Sequence, residues 1–321
     1  MSSSQPLVVV PCDQPQQIAD SPHLDRLKEF ADLRVYRDAP SSTDEKIQRV
    51  REAEIIINSR GHLHWSADEL RELPVLKMMS TVSIGTDAIN LAAARSQGIV
   101  VSNVPGRTAP VVAEHALALL LSIARRVSFT TNALRQGVWA SPANIYLGNK
   151  TLGVIGTGAI GAKMIQLAQG IGMKVLAWTF HPTESRGKEL GVEFVDLQEL
   201  LAQSDAISIH CKLTDDSCGL IGKHELQKMK AGSLLVNCAR GPIVDSHALI
   251  EALDAGHLAG AGIDVFDSEP LPENDPILNC DHVVLTPHSA DHNPEGVDLL
   301  CSGAVENVLA YFQGQPQNIV N

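Results

Sequence analysis

The chain has 321 residues, 44% of them hydrophobic and 19% charged, with a formal net charge of −12 at pH 7. This length suits two ordinary cores in a globular protein. The acidic balance excludes nucleic acid and anionic membrane as expected partners, because both need clustered Lys and Arg, and no run of uncharged apolar residues is long enough to span a bilayer.

The start, Met1-Ser2-Ser3-Ser4-Gln5-Pro6, has neither a basic region nor an apolar one, so the expected location is the cytoplasm. Short β-rich runs follow at 7–10, 54–58, 76–80 and 98–103. The segment 109–126 reads as a helix that is apolar nearly all round, which predicts burial between domains or subunits. Further strand-like runs stand at 151–155, 174–178, 206–210, 233–237, 260–264 and 282–285, with helical patterns between them. Near-continuous Val, Ile and Leu strands separated by helices predict parallel sheets covered on both faces. A terminal helix is expected over 294–312, with Gly314 and Pro316 as stop signals. Six cysteines are scattered without C-x-x-C spacing and read as reduced thiols, with no zinc site or disulfide framework. No metal site is expected: the pair His62 and His64 lacks a third ligand station.

The run Gly156-Thr157-Gly158-Ala159-Ile160-Gly161 lies between an apolar strand and a helix. That is the context the dinucleotide fingerprint requires. Its first glycine permits a tight turn, its second lets backbone N–H groups approach a pyrophosphate, and its third lets helix and strand pack closely. About 150 residues precede it, so an independent α/β module of roughly residues 1 to 100 must come first.

Three polar stations end consecutive strands downstream: Arg240 in Asn237-Cys238-Ala239-Arg240-Gly241, Glu269 after Asp264, and His288 in Thr286-Pro287-His288. Carboxyl ends of parallel strands are where an open α/β sheet binds ligands. Arg240 offers a planar fork for a carboxylate and a neighbouring carbonyl. His288 has an intrinsic pKa near neutrality, and Glu269 could hydrogen-bond its ring and favour imidazolium. Alone, each would be an ordinary loop residue. Their combination below a dinucleotide fingerprint points to chemistry.

These residues resemble the Arg/Glu/His set of the D-2-hydroxyacid dehydrogenase family. The resemblance covers nearly the whole chain, including Val82 to Asp87, Asn103 to Gly106, Ala113-Glu114-His115-Ala116, the glycine motif, Leu213-Thr214, Cys238 to Asp245, Asp264-Val265-Phe266, Glu269-Pro270 and Thr286-Pro287-His288. It implies reduction of a 2-keto acid to the D-2-hydroxy acid by NADH or NADPH. Ser83, Ile84 and Gly85 would anchor the substrate carboxylate with Arg240, His288 would give the proton, and Glu269 would raise the His pKa. Asp264 would hold the nicotinamide carboxamide. Gly156 to Gly161, His210, Cys211, Lys212, Cys238 and His288 would line the cofactor site. The implied architecture is two Rossmann-like or flavodoxin-like domains, a discontinuous substrate domain (1–102 and 288–321) and a dinucleotide domain (103–287). The long helix from Ala109 would help form a homodimer.

Two departures and two further residues matter. Where NAD-preferring Rossmann domains carry Asp or Glu, about 20 residues past the fingerprint, this chain has Thr179. Without that carboxylate a 2′-phosphate is tolerable, and Thr179, His181, Thr183 or Arg186 could contact it, so NADP is favoured over NAD. The substrate loop reads Ser83-Ile84-Gly85 rather than Gly-Val-Gly, which resembles glyoxylate/hydroxypyruvate reductases. Trp139 resembles a tryptophan that reaches a neighbouring subunit's pocket, with core packing as the alternative. Arg60 could meet a second acidic group or stand in solvent. Other substrates (pyruvate, larger keto acids, 3-phosphohydroxypyruvate) and a nucleotide-sensing, corepressor-like regulator are the competing readings.

Overall fold

Val8 and Val10 face one side of their strand and Val9 the other, and all three are buried. That strand lies inside a parallel sheet with both faces covered, as period-2 alternation of apolar side chains requires. The computed structural model describes residues 5–59 and 63–321, so Arg60 and His62 lie outside the described residues.

The first compact unit runs to Thr108 and resumes at His292. Its strands are β1 (Leu7–Val10), β2 (Asp32–Val35), β3 (Ile55–Asn58), β4 (Met78–Thr81) and β5 (Val100–Ser102). They pair in parallel in the order β2-β1-β3-β4-β5, the flavodoxin-like order. One face packs Ile55, Ile57 and Met78 against Leu300, Ala304, Val305 and Val308 of the Pro294–Phe312 helix. The opposite face packs Ile56, Met79 and Val101 against Trp65 and Leu70.

The second unit spans Ala109–Asp291. Its strands are β6 (Thr151–Ile155), β7 (Lys174–Trp178), β8 (Glu193–Phe194), β9 (Ala206–Ile209), β10 (Ser233–Asn237), β11 (Leu258–Ile263) and β12 (Val283–Leu285). The sheet order β12-β11-β10-β9-β6-β7-β8 places the first strand of the unit at the crossover, the doubly wound arrangement with one strand added. The crevice at that switch point is where such sheets take ligands, and β6 delivers the glycine motif to it.

Two strands, β2 and β8, are not among those expected from the sequence. In β2, Asp32 and Arg34 alternate with Leu33 and Val35, and pairing with β1 makes it a strand. In β8 only two residues pair with β7. Both are edge strands, which bury too little to leave an apolar run. The Ala109–Ala124 helix ends before Arg126, which adopts φ +53°. One face of the helix is buried within its own unit, where Ala116, Leu119, Leu120 and Ile123 pack with Met164, Leu234 and Val236, while Leu121 is exposed. The unit boundaries fall after Thr108 and Asp291 rather than after 102 and 287. Residues 103–107 belong with the first unit because Asn307 Nδ2 donates to the Asn103 carbonyl (2.8 Å) and Arg107 pairs with Glu306.

Candidate active site

Gly156 closes the turn after β6 at φ +91°, and its N–H donates to the Trp178 carbonyl at 2.8 Å. A Cβ there would stand 2.5 Å from the Cys211 nitrogen, so the strand end at His210 and Cys211 leaves room only for glycine. Gly161 is required for another reason: its Cβ would meet the Gly156 carbonyl oxygen at 2.0 Å, which blocks the close packing of helix on strand. At Gly158, by contrast, a Cβ would meet nothing within 4 Å. Gly158 is the N-cap of the Ala159–Gly170 helix, and no side chain caps that terminus. Bare N–H groups and open space at the end of a helix fit a pyrophosphate, and the helix dipole favours the charge.

Thr157 is buried, and its carbonyl accepts from Arg186 Nη2 at 3.0 Å. Arg186 sits in the Glu184–Leu190 helix, whose N-cap is Thr183, and also pairs with Glu189 at 2.7 Å. Thr179 follows Trp178 at the end of β7, where a ribose-binding acid would stand. His181 and Lys212 are exposed. Cys211 is buried, which pushes its thiol up to about 11, and Cys238 is pushed up by burial and by the charge of Asp264. Neither is a thiolate nucleophile. His210 donates or accepts at Nε2 with the Ser208 hydroxyl (2.8 Å), while its Nδ1 is buried without a partner among the described residues.

Arg240, Glu269 and His288 all belong to the second unit, on loops that leave β10, β11 and β12. Asn237 sets the first loop: its Nδ2 donates to the Arg240 carbonyl (2.9 Å) and its Oδ1 accepts from the Ala239 N–H (3.0 Å). Gly241 lets this loop approach the next, since a Cβ would lie 2.1 Å from the Phe266 carbonyl carbon. Glu269 is held from both sides. Its Oε1 accepts from the Phe266 N–H at 2.9 Å, and its Oε2 pairs with His288 Nδ1 at 2.6 Å. Burial raises the Glu269 carboxyl, but the bonds from His288 and Phe266 and the charges of His288 and Arg240 outweigh it, so its pKa is lowered. The carboxylate is ionised at neutral pH.

Asp264 is wholly buried. Its carboxylate accepts from the Thr286 hydroxyl (2.6 Å), the Ser289 N–H (2.9 Å) and the Ala290 N–H (3.1 Å), and His115 Nε2 lies 2.9 Å from Thr286 Oγ1. His115 and Thr286 lie in motifs of the family pattern, yet neither has a role at the site that the sequence alone assigns. A histidine on the packed face of an otherwise apolar helix was the available signal.

Ser83, Ile84 and Gly85 follow β4 in the first unit. The Ser83 carbonyl accepts from Val104 N–H (2.9 Å) and Thr81 Oγ1 (3.1 Å), Ile84 O from Asn103 Nδ2 (2.6 Å), and Gly85 O from Ser83 Oγ (2.7 Å). Trp139 is 89% exposed, which overturns core packing as its role. Arg60 lies outside the described residues.

Residues 117–290 match the model of the D-isomer specific 2-hydroxyacid dehydrogenase NAD binding domain. A glyoxylate reductase of Korarchaeum cryptofilum is 37% identical over 306 residues, covering 93% of this chain and 92% of the relative. A hydroxypyruvate reductase of Blautia hydrogenotrophica is 32% identical over 294 residues, covering 88% and 90%. The solved structure of an acyclic imino acid reductase with NADPH and D-Arg superposes with a TM-score of 0.88 at 26% identity, covering 98% of this chain and 100% of that one. With a doubly wound sheet, a glycine loop built for a dinucleotide and relatives matching along almost its full length, the chain belongs to the D-2-hydroxyacid dehydrogenase family of NAD(P)-dependent oxidoreductases.

Proposed function

We propose that this enzyme reduces a small 2-keto acid of the glyoxylate/hydroxypyruvate type to the D-2-hydroxy acid, with NADPH favoured and NADH the alternative. The observation that carries the reading is the 2.6 Å bond between His288 Nδ1 and Glu269 Oε2 in the loops that also bring Arg240. With Nδ1 committed to the carboxylate, Nε2 is the nitrogen that donates a proton to the keto oxygen. When bound, the nicotinamide cofactor supplies a hydride to the keto carbon. Negative charge then grows on the oxygen, and the Arg240 guanidinium and the His288 imidazolium stabilise it more in the transition state than in the ground state. Arg240 also binds the substrate carboxylate. At Ser83, Ile84 and Gly85 the loop carbonyls are engaged by the protein itself, so its N–H groups are what the loop can offer to a carboxylate.

Two features support NADPH. No carboxylate stands at Thr179 to repel a 2′-phosphate, and the Arg186 guanidinium is tethered to the glycine loop through Thr157. The imino acid reductase that superposes on this chain holds NADPH. A homodimer is supported by Val127, Leu134, Val138, Trp139 and Tyr146, all large, apolar or aromatic, and exposed in the single chain. A cytoplasmic location is supported by six cysteines that form no disulfide among the described residues; among the described residues no helix is long and apolar enough to cross a membrane.

The test is the initial rate of NADPH oxidation beside NADH, each with saturating hydroxypyruvate. Faster turnover with NADPH is expected. Faster turnover with NADH overturns the cofactor preference alone, and no turnover with any small keto acid overturns the reading.

A further inference from the structure

The catalytic histidine occupies a costly backbone conformation. His288 has φ +49°, a left-handed value that a non-glycine side chain adopts only when its surroundings insist. What insists is Asp264. Its carbonyl accepts from the His288 N–H at 2.7 Å, and its carboxylate accepts from Ser289 and Ala290 N–H groups and from the Thr286 hydroxyl. One buried residue thereby holds the turn at 286, 288, 289 and 290.

The direction of the proton in this network follows from charge. Burial raises the Asp264 carboxyl, but hydrogen bonds from His115, Thr286 and Ser289 outweigh it and keep its pKa lowered, so the group is a carboxylate that can only accept. Thr286 must therefore spend its one hydroxyl proton on Asp264. Its oxygen is left to accept, and the neighbour within reach is His115 Nε2 at 2.9 Å. His115 carries a proton on Nε2 and donates it chiefly to Thr286, with Asp264 Oδ1 a longer 3.5 Å away.

We propose that His115 and Thr286 are positioning residues for the catalytic acid: the His115–Thr286–Asp264 relay fixes the left-handed turn that aims His288. This rests on the reading of His288 as proton donor. Histidine at 115 is otherwise unexplained, since the same helix face packs Val112, Ala113, Ala116 and Leu119 into the core.

The test compares His115→Phe and Thr286→Val, which keep bulk and remove the bond, with His115→Gln and Thr286→Ser, which restore a donor or a hydroxyl. Expected for the first pair is a kcat reduced about ten- to a hundredfold, as for a small misplacement of a reacting group, with the dissociation constant for NADPH and the KM changed less than about threefold. The second pair recovers most of kcat. Unchanged kcat in both His115→Phe and Thr286→Val overturns the proposal, as does loss of cofactor affinity in step with kcat or failure of the conservative variants to rescue. A readout independent of turnover is the imidazole nitrogen resonances of His288 in the cofactor-bound enzyme, assigned by their loss in His288→Gln. They move in His115→Phe and return in His115→Gln if the relay sets the turn, and stay fixed if it does not. A parent without keto acid turnover overturns the proposed function, while these resonances still decide the relay.

Discussion

Arg186 donates from its guanidinium to the carbonyl oxygen of Thr157 at 3.0 Å, tying the start of one helix to the glycine loop that opens another. A cation is thereby held beside the place where an adenosine ribose would lie in this fold.

Replacing Arg186 by Ala lowers kcat/KM for NADPH about tenfold or more and leaves NADH nearly unchanged, because a hydrogen bond to a charged group is worth about 1.5–3 kcal/mol. Thr179→Asp shifts preference toward NADH by restoring the repelling carboxylate. Initial rates with both cofactors check this. An equal loss with both would make Arg186 an anchor of the loop and nothing more.

The glycines at 158 and 161 separate binding from stability. Gly161→Ala drives a Cβ against the Gly156 carbonyl oxygen and costs about 1–3 kcal/mol, as overpacking does. Gly158→Ala adds a methyl to open space, so its melting temperature stays near the parent's while cofactor affinity falls. Thermal denaturation beside cofactor titration distinguishes the two, and a destabilised Gly158→Ala would contradict the assignment.

Glu269 sets an acid limit. Its carboxyl lies below the ordinary 4.5, so the orientation and stability it contributes are fully present above that value and are lost as pH falls through the lowered one. Glu269→Gln cannot present a carboxylate to His288 Nδ1, and kcat is expected to fall about a hundredfold, within the range for general acid–base groups. The acid limb of the parent's pH profile should break below 4.5, and the variant's should lack that break.

His210 also makes the fold less stable toward acid, over a higher pH window. Burial lowers its pKa from 6.5 to about 4, so the unfolded chain takes up a proton between those values and the folded chain does not. Stability therefore falls as pH drops from 6.5 to about 4, by an amount on the order of 2–3 kcal/mol. Melting temperatures of the parent and His210→Gln at neutral pH and near pH 4.5 give the answer. A parallel decline in both would remove His210 as the cause.

Much of this molecule is legible in its residues. The glycine spacing, the strand runs and the polar strand ends report strong local requirements, such as a positive φ at Gly156 or a buried face in β10. The edge strands β2 and β8 are not legible, because partners distant in sequence create them. The roles of His115 and Thr286 are hidden for a related reason. Each is defined by Asp264, and the 2.9 Å contact between them spans elements far apart in the chain. That Trp139 lies outside the core is visible only in its 89% exposure.

The Pro294–Phe312 helix covers one face of the sheet that β1, β3 and β4 build. During synthesis those strands emerge before the Ala109–Asp291 unit, whereas Leu300, Ala304, Val305 and Val308 emerge after it. Until then Val8, Val10, Ile55 and Ile57 lack their cover, whereas every residue of Ala109–Asp291 is already available to its own core. The residues of the dinucleotide domain's core are thus all available before the first unit has its last covering helix.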